Sequence, residues 1–366
     1  MSIRPRRVLA LLLVAVLAGC ASAPRETQPQ RAPADVRAQL VRLLPPATRD
    51  REGWAADIQS AFQLLGILQS TENLCAVLAV TEQESTFTAD PDVPRLPAIA
   101  RGEIDRRAAA SGVPRLLVSA ALRLPSSDGR SYGERLDAVR TERELSELFE
   151  DMVARVPLGQ RLFAGANPVR TGGPMQVAIA FAERHADEHG YPYPREGSIR
   201  REVFTRRGGL YFGIAHLLGY PSSYERHLYR YADFNAGRYA SRNAGFQAAV
   251  TAASGVALAL DGDLLRHDGS VGATEAAVRS LGPRLGLGNA AIRRALEQGD
   301  RHGFEDTALY DDVFALAERL EGRPLPRAVM PKINLESPKF ARKLTTEWFA
   351  TRVETRYRRC VSKAFG

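Results

Sequence analysis

The chain has 366 residues, 45% hydrophobic and 25% charged, with a formal net charge of +8. That is the composition of a globular protein, long enough for one large domain or two small ones. The positive charge is mild and spread along the chain. It does not argue for nucleic acid, and it suits an anionic surface such as cell wall or lipid head groups.

Residues 1–19 read as a targeting segment. Arg4, Arg6 and Arg7 precede an apolar run over residues 8–17, too short for a comfortable membrane span. The run ends in Leu17-Ala18-Gly19-Cys20. This resembles the bacterial lipobox, in which the cysteine is lipidated, with palmitate among its acyl chains, and becomes the first residue of the mature lipoprotein. Ala21, rather than Asp, follows the cysteine. In a Gram-negative cell the resemblance implies an outer-membrane lipoprotein facing the periplasm. Loss of the three leader arginines leaves about +5 on the mature chain. Residues 20–50 are rich in Pro, Gln, Arg and Ala and read as a tether, with one short helix near residues 36–44.

The first strong helical stretch of the body is centred on residues 74–87. Asn73 can cap its start and Pro91 lies beyond its end. At roughly 100° per residue, Leu74, Val77, Leu78, Val80 and Thr81 share one face. Glu84 falls in that arc, and Glu82 points to the opposite side. A carboxyl in apolar surroundings holds its proton to higher pH, as a general acid requires. The plainer reading of such a Glu is a solvated residue or the partner of a cation. Cys75 and Cys360 are the cysteines besides Cys20. In an oxidising compartment they form either a disulfide or two separate buried thiols, and the spacing does not choose.

Helical spacing then recurs along the chain. Trp54, Ile58, Phe62 and Leu65 make one stripe, and Leu136, Val139, Leu145, Phe149 and Val153 suggest two helices, with Thr141 as a cap. Further helices are expected over residues 175–189, 209–218, 226–234, 243–260, 273–281, 289–298, 306–320 and 337–364. Gly and Pro clusters separate them, and alternating strand patterns are nearly absent. The fold class is all-α. His185 and His189, at i and i+4, lack a third partner of metal-ligand type and read as a solvated helix face. No metal or cofactor is expected. The runs of arginine at residues 195–207 and 352–359 read as solvated faces. The dense tyrosines Tyr220, Tyr224, Tyr229, Tyr231 and Tyr239 divide between core packing and sugar-stacking surfaces.

Three motifs occur in order: Gln83-Glu84-Ser85-Thr86-Phe87, Gly172-Gly173-Pro174-Met175-Gln176-Val177 at the expected opening of a helix, and Ala232-Asp233-Phe234-Asn235-Ala236-Gly237 at the close of one. Together they resemble the soluble lytic transglycosylases, relatives of goose-type lysozyme. The resemblance covers residues 74–87 and about 170–245. It implies a lysozyme-like helical domain over residues 51–250 with an insertion at about residues 94–168. A helical C-terminal extension of residues 251–366 lies outside it. By the same resemblance Glu84 is the single catalytic acid/base, and Ser85, Met175, Gln176 and Asn235 contact the substrate, the peptidoglycan glycan strand. Phe234 stands where the family has Tyr, and Tyr231 one turn earlier is the candidate replacement. About 90 residues separate Glu84 from Gln176, far more than in the family.

Glycoside hydrolysis ordinarily uses two carboxylates. A lytic transglycosylase uses one, because the sugar's own C6 hydroxyl closes on C1 to give a 1,6-anhydro end. Asp90 and Asp92 keep a hydrolytic variant open. The rival reading is a binding module, a wall-binding or scaffolding lipoprotein with a catalytically weak groove, which Phe234 favours. A third is a helical structural lipoprotein with chance motifs.

Overall fold

The computed structural model describes residues 31–155, 166–195, 197–335 and 344–366. Cys20 and the leader lie outside the described residues. The fold is all-α, with two antiparallel β-ribbons of two residues per strand. Strands this short have no room for the alternation by which a sequence announces a sheet.

Three helices open the body: α1 (Pro33–Leu43), α2 (Arg51–Leu64) and α3 (Thr71–Ser85). Val36, Leu40 and Leu44 are fully buried, so α1 belongs to the packed body and not to a tether. Ser70, not Asn73, caps α3. Its hydroxyl accepts from the Asn73 backbone N–H at 3.2 Å, while the Asn73 amide donates to the Leu68 carbonyl at 2.9 Å. Every residue of α3 from Leu74 to Thr81 is buried, so neighbours enclose it on all sides.

Four helices follow: α4 (Leu96–Ala110), α5 (Arg115–Leu122), α6 (Tyr132–Ala138) and α7 (Glu142–Ala154). α6 and α7 each open on a capping box, Ser131 with Glu134 and Thr141 with Glu144. Leu96, Tyr132, Leu136, Leu145 and Leu148 enter the main core, so this segment shares its interior with the rest of the body. Next come β1 (Thr171–Gly172), β2 (Val177–Ala178), α8 (Ile179–His189), α9 (Ile199–Val203), α10 (Arg206–Leu218) and α11 (His227–Ala236). The arginines around α9 and α10 are engaged: Arg200 donates to the Val169 carbonyl at 2.9 Å, and Arg206 pairs with Asp57 at 2.6 Å.

A second core lies among α12 (Ala240–Ser254), α13 (Ala273–Leu285), α14 (Asn289–Leu296) and α15 (Ala308–Glu321), around Phe246, Phe304, Val313 and Phe314. Arg242 is fully buried there, its guanidinium donating to the carbonyls of Gly299 at 2.5 Å and Arg301 at 2.7 Å. Buried Glu275 pairs with Arg279 at 2.6 Å and Arg293 at 3.1 Å.

The chain ends in β3 (Asn334–Leu335), β4 (Leu344–Thr345) and α16 (Thr346–Phe365). The last helix leaves the second core and packs along α3 and α11 in the first. Cys75 and Cys360 are disulfide-bonded, with Cα atoms 5.5 Å apart and a sequence separation of 285. Glu82 belongs to the same contact. It is not on open solvent; its carboxylate pairs with Arg359 and lies 3.9 Å from Arg356 of α16. No helix among the described residues is long and apolar enough to cross a membrane.

Candidate active site

Glu84 is half-buried in the last turn of α3. Ser85 beside it is nearly buried and donates its hydroxyl to the Thr81 carbonyl at 3.1 Å, so that hydroxyl is committed to the helix rather than to a ligand. The helix stops abruptly because Thr86 and Phe87 both take left-handed backbone, with φ of 50° and 58°. That conformation is costly for residues with a Cβ, most of all a β-branched one. The buried Phe87 ring, edge-on to Trp54 at 5.5 Å, holds the turn in place. Asp90 and Asp92, the candidates for a second carboxylate, pair with Arg143 at 2.8 Å and Arg140 at 2.6 Å.

The second motif does not open a helix. It is the hairpin between β1 and β2, and α8 starts only at Ile179. Met175 is fully buried, so it supports the hairpin from beneath rather than lining a surface. α10 makes room for it with glycine: a Cβ on Gly213 would lie 2.5 Å from the Met175 sulfur, and one on Gly209 2.4 Å from Pro174. Gln176 has φ of 50°. Its amide turns back into the hairpin, accepting from Thr171 Oγ1 at 3.1 Å and donating to the Gly173 carbonyl at 3.3 Å.

The third motif closes α11. Asn235 is exposed and accepts from Thr346 Oγ1 of α16 at 3.4 Å. Tyr231 is wholly buried beside Tyr357 and its hydroxyl has no partner, so it cannot supply the hydroxyl missing at Phe234 to a bound sugar. The residue that the sequence reading passed over is Asp233. Its carboxylate accepts from the Tyr220 and Tyr224 hydroxyls at 3.1 and 2.7 Å and from the Tyr239 and Ser241 backbone N–H groups at 2.9 and 2.7 Å. Burial pushes its pKa up against the pull of those donors. The tyrosine cluster around it is thus largely a clamp on the α11–α12 turn rather than a set of stacking platforms.

One helix touches the second and third motifs and packs on the helix that carries the first. α10 packs on α3, holds the β1–β2 hairpin through Gly209 and Gly213, and joins α11 through His216 Nε2, 3.2 Å from the Phe234 carbonyl. Six non-glycine residues have positive φ among the described residues. Thr86 and Phe87 lie in the first motif, Gln176 in the second, and Tyr239 two residues after the third.

The family model described as "Protein of unknown function (DUF1615)" matches residues 47–363. The chain belongs to this family. "Uncharacterized protein YaiW" of Escherichia coli (strain K12) is 53% identical over 363 residues, which cover 99% of each chain. No solved structure matches. Membership fixes kinship, and any activity has to be argued from the side chains.

Two histidines, His185 of α8 and His216 of α10, pack among aromatic rings. His185 is not on a solvated face; its ring stacks on Phe181 at 5.6 Å and meets Tyr211 at 5.7 Å. Phe181 also touches His216 at 4.5 Å, under the Arg238 guanidinium 4.8 Å away. Burial, followed by His189 for His185 and by Arg238 for His216, pushes both imidazoles down from 6.5 to about 4. The unfolded chain therefore takes up these protons near pH 6.5 and the folded chain only near pH 4. Their contribution is full above pH 6.5 and is lost as pH falls toward 4. His216, the more enclosed, should account for about 2 kcal/mol of that loss. Urea denaturation at pH 7 and pH 4.5 should show it, and His216→Asn should flatten the difference. A stability unchanged between the two pH values would contradict the enclosure of these rings.

Proposed function

We propose that this chain is an outer-membrane-anchored lipoprotein that cleaves peptidoglycan glycan strands as a lytic transglycosylase, with Glu84 as its acid/base. The observation that carries the reading is the strain. Left-handed backbone on residues with a Cβ is expensive and persists where surrounding structure enforces it, often at functional sites. Here four of the six such residues among the described residues fall in or beside the three motifs singled out from sequence, and α10 touches the second and third motifs and packs on the helix that carries the first.

The chemistry needs one carboxyl. Protonated Glu84 gives its proton to the glycosidic oxygen as the C1–O bond breaks. The carboxylate then takes the proton of the C6 hydroxyl as its oxygen bonds to C1. Asp90 and Asp92 are engaged with arginines, which favours this route over one in which a second carboxylate activates water. Asn235 remains as an exposed polar group for the sugar, whereas Ser85, Met175 and Gln176 act by shaping the loops around it.

A second reading has its own support. Phe234 and the buried Tyr231 leave the third motif without the hydroxyl that the resemblance implies, which favours a glycan-binding scaffold. A turbidity assay on purified peptidoglycan sacculi separates the two. Clearing by the wild-type chain supports the enzyme, and sedimentation with undegraded sacculi supports the scaffold. Neither clearing nor co-sedimentation would reject both. Anchoring is tested separately: Cys20→Ser should abolish incorporation of labelled palmitate into the chain.

A further inference from the structure

α5 is a helix turned inside out. None of its eight residues is buried. Leu116 is 79% exposed, Leu117 and Leu124 are 58%, and Val113 is 40%. With Ala120 these residues follow the i, i+3, i+4, i+7 spacing of a core-facing stripe, yet the stripe points away from the body. Only Val118 and Leu122 turn inward. A contiguous apolar patch of this kind on a folded protein marks a surface that something else covers.

We infer that α5 seats the body on an anionic lipid surface. The stripe is purely aliphatic and lacks the aromatic anchors that dominate protein–protein hot spots. Arg115 and Arg123 bracket it, both exposed and without an ion pair among the described residues. Residues 95–130 carry seven arginines against three acidic residues. Aliphatic side chains between basic ones are the composition of an interfacial helix, with leucines among acyl chains and guanidinium groups at the phosphates. The inference is independent of the glycan-cleaving reading and does not require lipid on Cys20.

The test places a reporter on the stripe. Full chain carrying Leu117→Trp is reconstituted into vesicles of phosphatidylglycerol and phosphatidylethanolamine, with the wild-type signal of Trp54 and Trp348 subtracted. The introduced indole should shift to the blue and be quenched by brominated acyl chains. Adding Arg115→Glu and Arg123→Glu should lower the quenched fraction at least about fivefold, since each cation near an anionic surface contributes about that factor. Because Arg115, Leu117 and Arg123 are all exposed, these changes should leave the circular dichroism unchanged. Emission that stays unshifted and unquenched would overturn the inference. So would equal quenching in purely zwitterionic vesicles, or shielding that follows protein concentration without lipid, which would assign the stripe to a second copy of the chain.

Discussion

Glu84→Gln should abolish glycan cleavage and leave the fold and glycan binding intact. The amide keeps the size and reach of the side chain but cannot cycle a proton, and both half-steps depend on that proton. Loss of general acid–base catalysis alone costs about 10²–10⁴ in rate. The control sits two residues away. Glu82 pairs with Arg359 on α16, so Glu82→Gln should cost less than about 1 kcal/mol of stability and little activity. Turnover of sacculi by both variants, with thermal melts to confirm folding, reads the contrast. Full activity of Glu84→Gln would remove it from the mechanism.

The second large effect concerns the Cys75–Cys360 bridge. Its cysteines are separated by 285 in sequence, near the upper end of what a crosslink can contribute by restricting the unfolded chain. Reduction should lower stability by about 2–5 kcal/mol. Cys75 is wholly buried and Cys360 half-buried, and once the bridge is cut α16 is free to lift from α3. Lifting α16 also withdraws Thr346 from Asn235, so glycan binding should weaken along with stability. Denaturation with and without dithiothreitol measures the first effect. Thiol titration of the denatured, unreduced chain that finds Cys75 and Cys360 both reactive would rule the bridge out.

What the sequence made legible was local. The spacing of Trp54, Ile58 and Phe62 encodes a helix, and Thr141 caps α7 where the pattern put it. Other features depend on packing that no window of residues contains. α3 looked one-sided, yet it is enclosed all round because α16 returns to it from the far end of the chain. The second motif looked helical because Met-Gln-Val suits a helix, but Gly173 and a left-handed Gln176 turn it into a hairpin. Nothing in the identity of Thr86 announces a left-handed residue; the neighbouring structure imposes it. Tyr231 and Met175 were read as substrate contacts from the resemblance, and both lie fully buried in the core. Asp233 was inside a recognised motif, but its role as a fourfold acceptor appears only once Tyr220, Tyr224 and the start of α12 are folded around it.

The central claim is that one carboxyl group cleaves the glycan with the sugar's own hydroxyl as nucleophile. The most direct test is the mass of the fragments released from purified sacculi by the wild-type chain. The muramic acid ends should be in the 1,6-anhydro form, lighter by one water than the products of hydrolysis. Fragments ending only in reducing sugars, or no fragments at all, would contradict it.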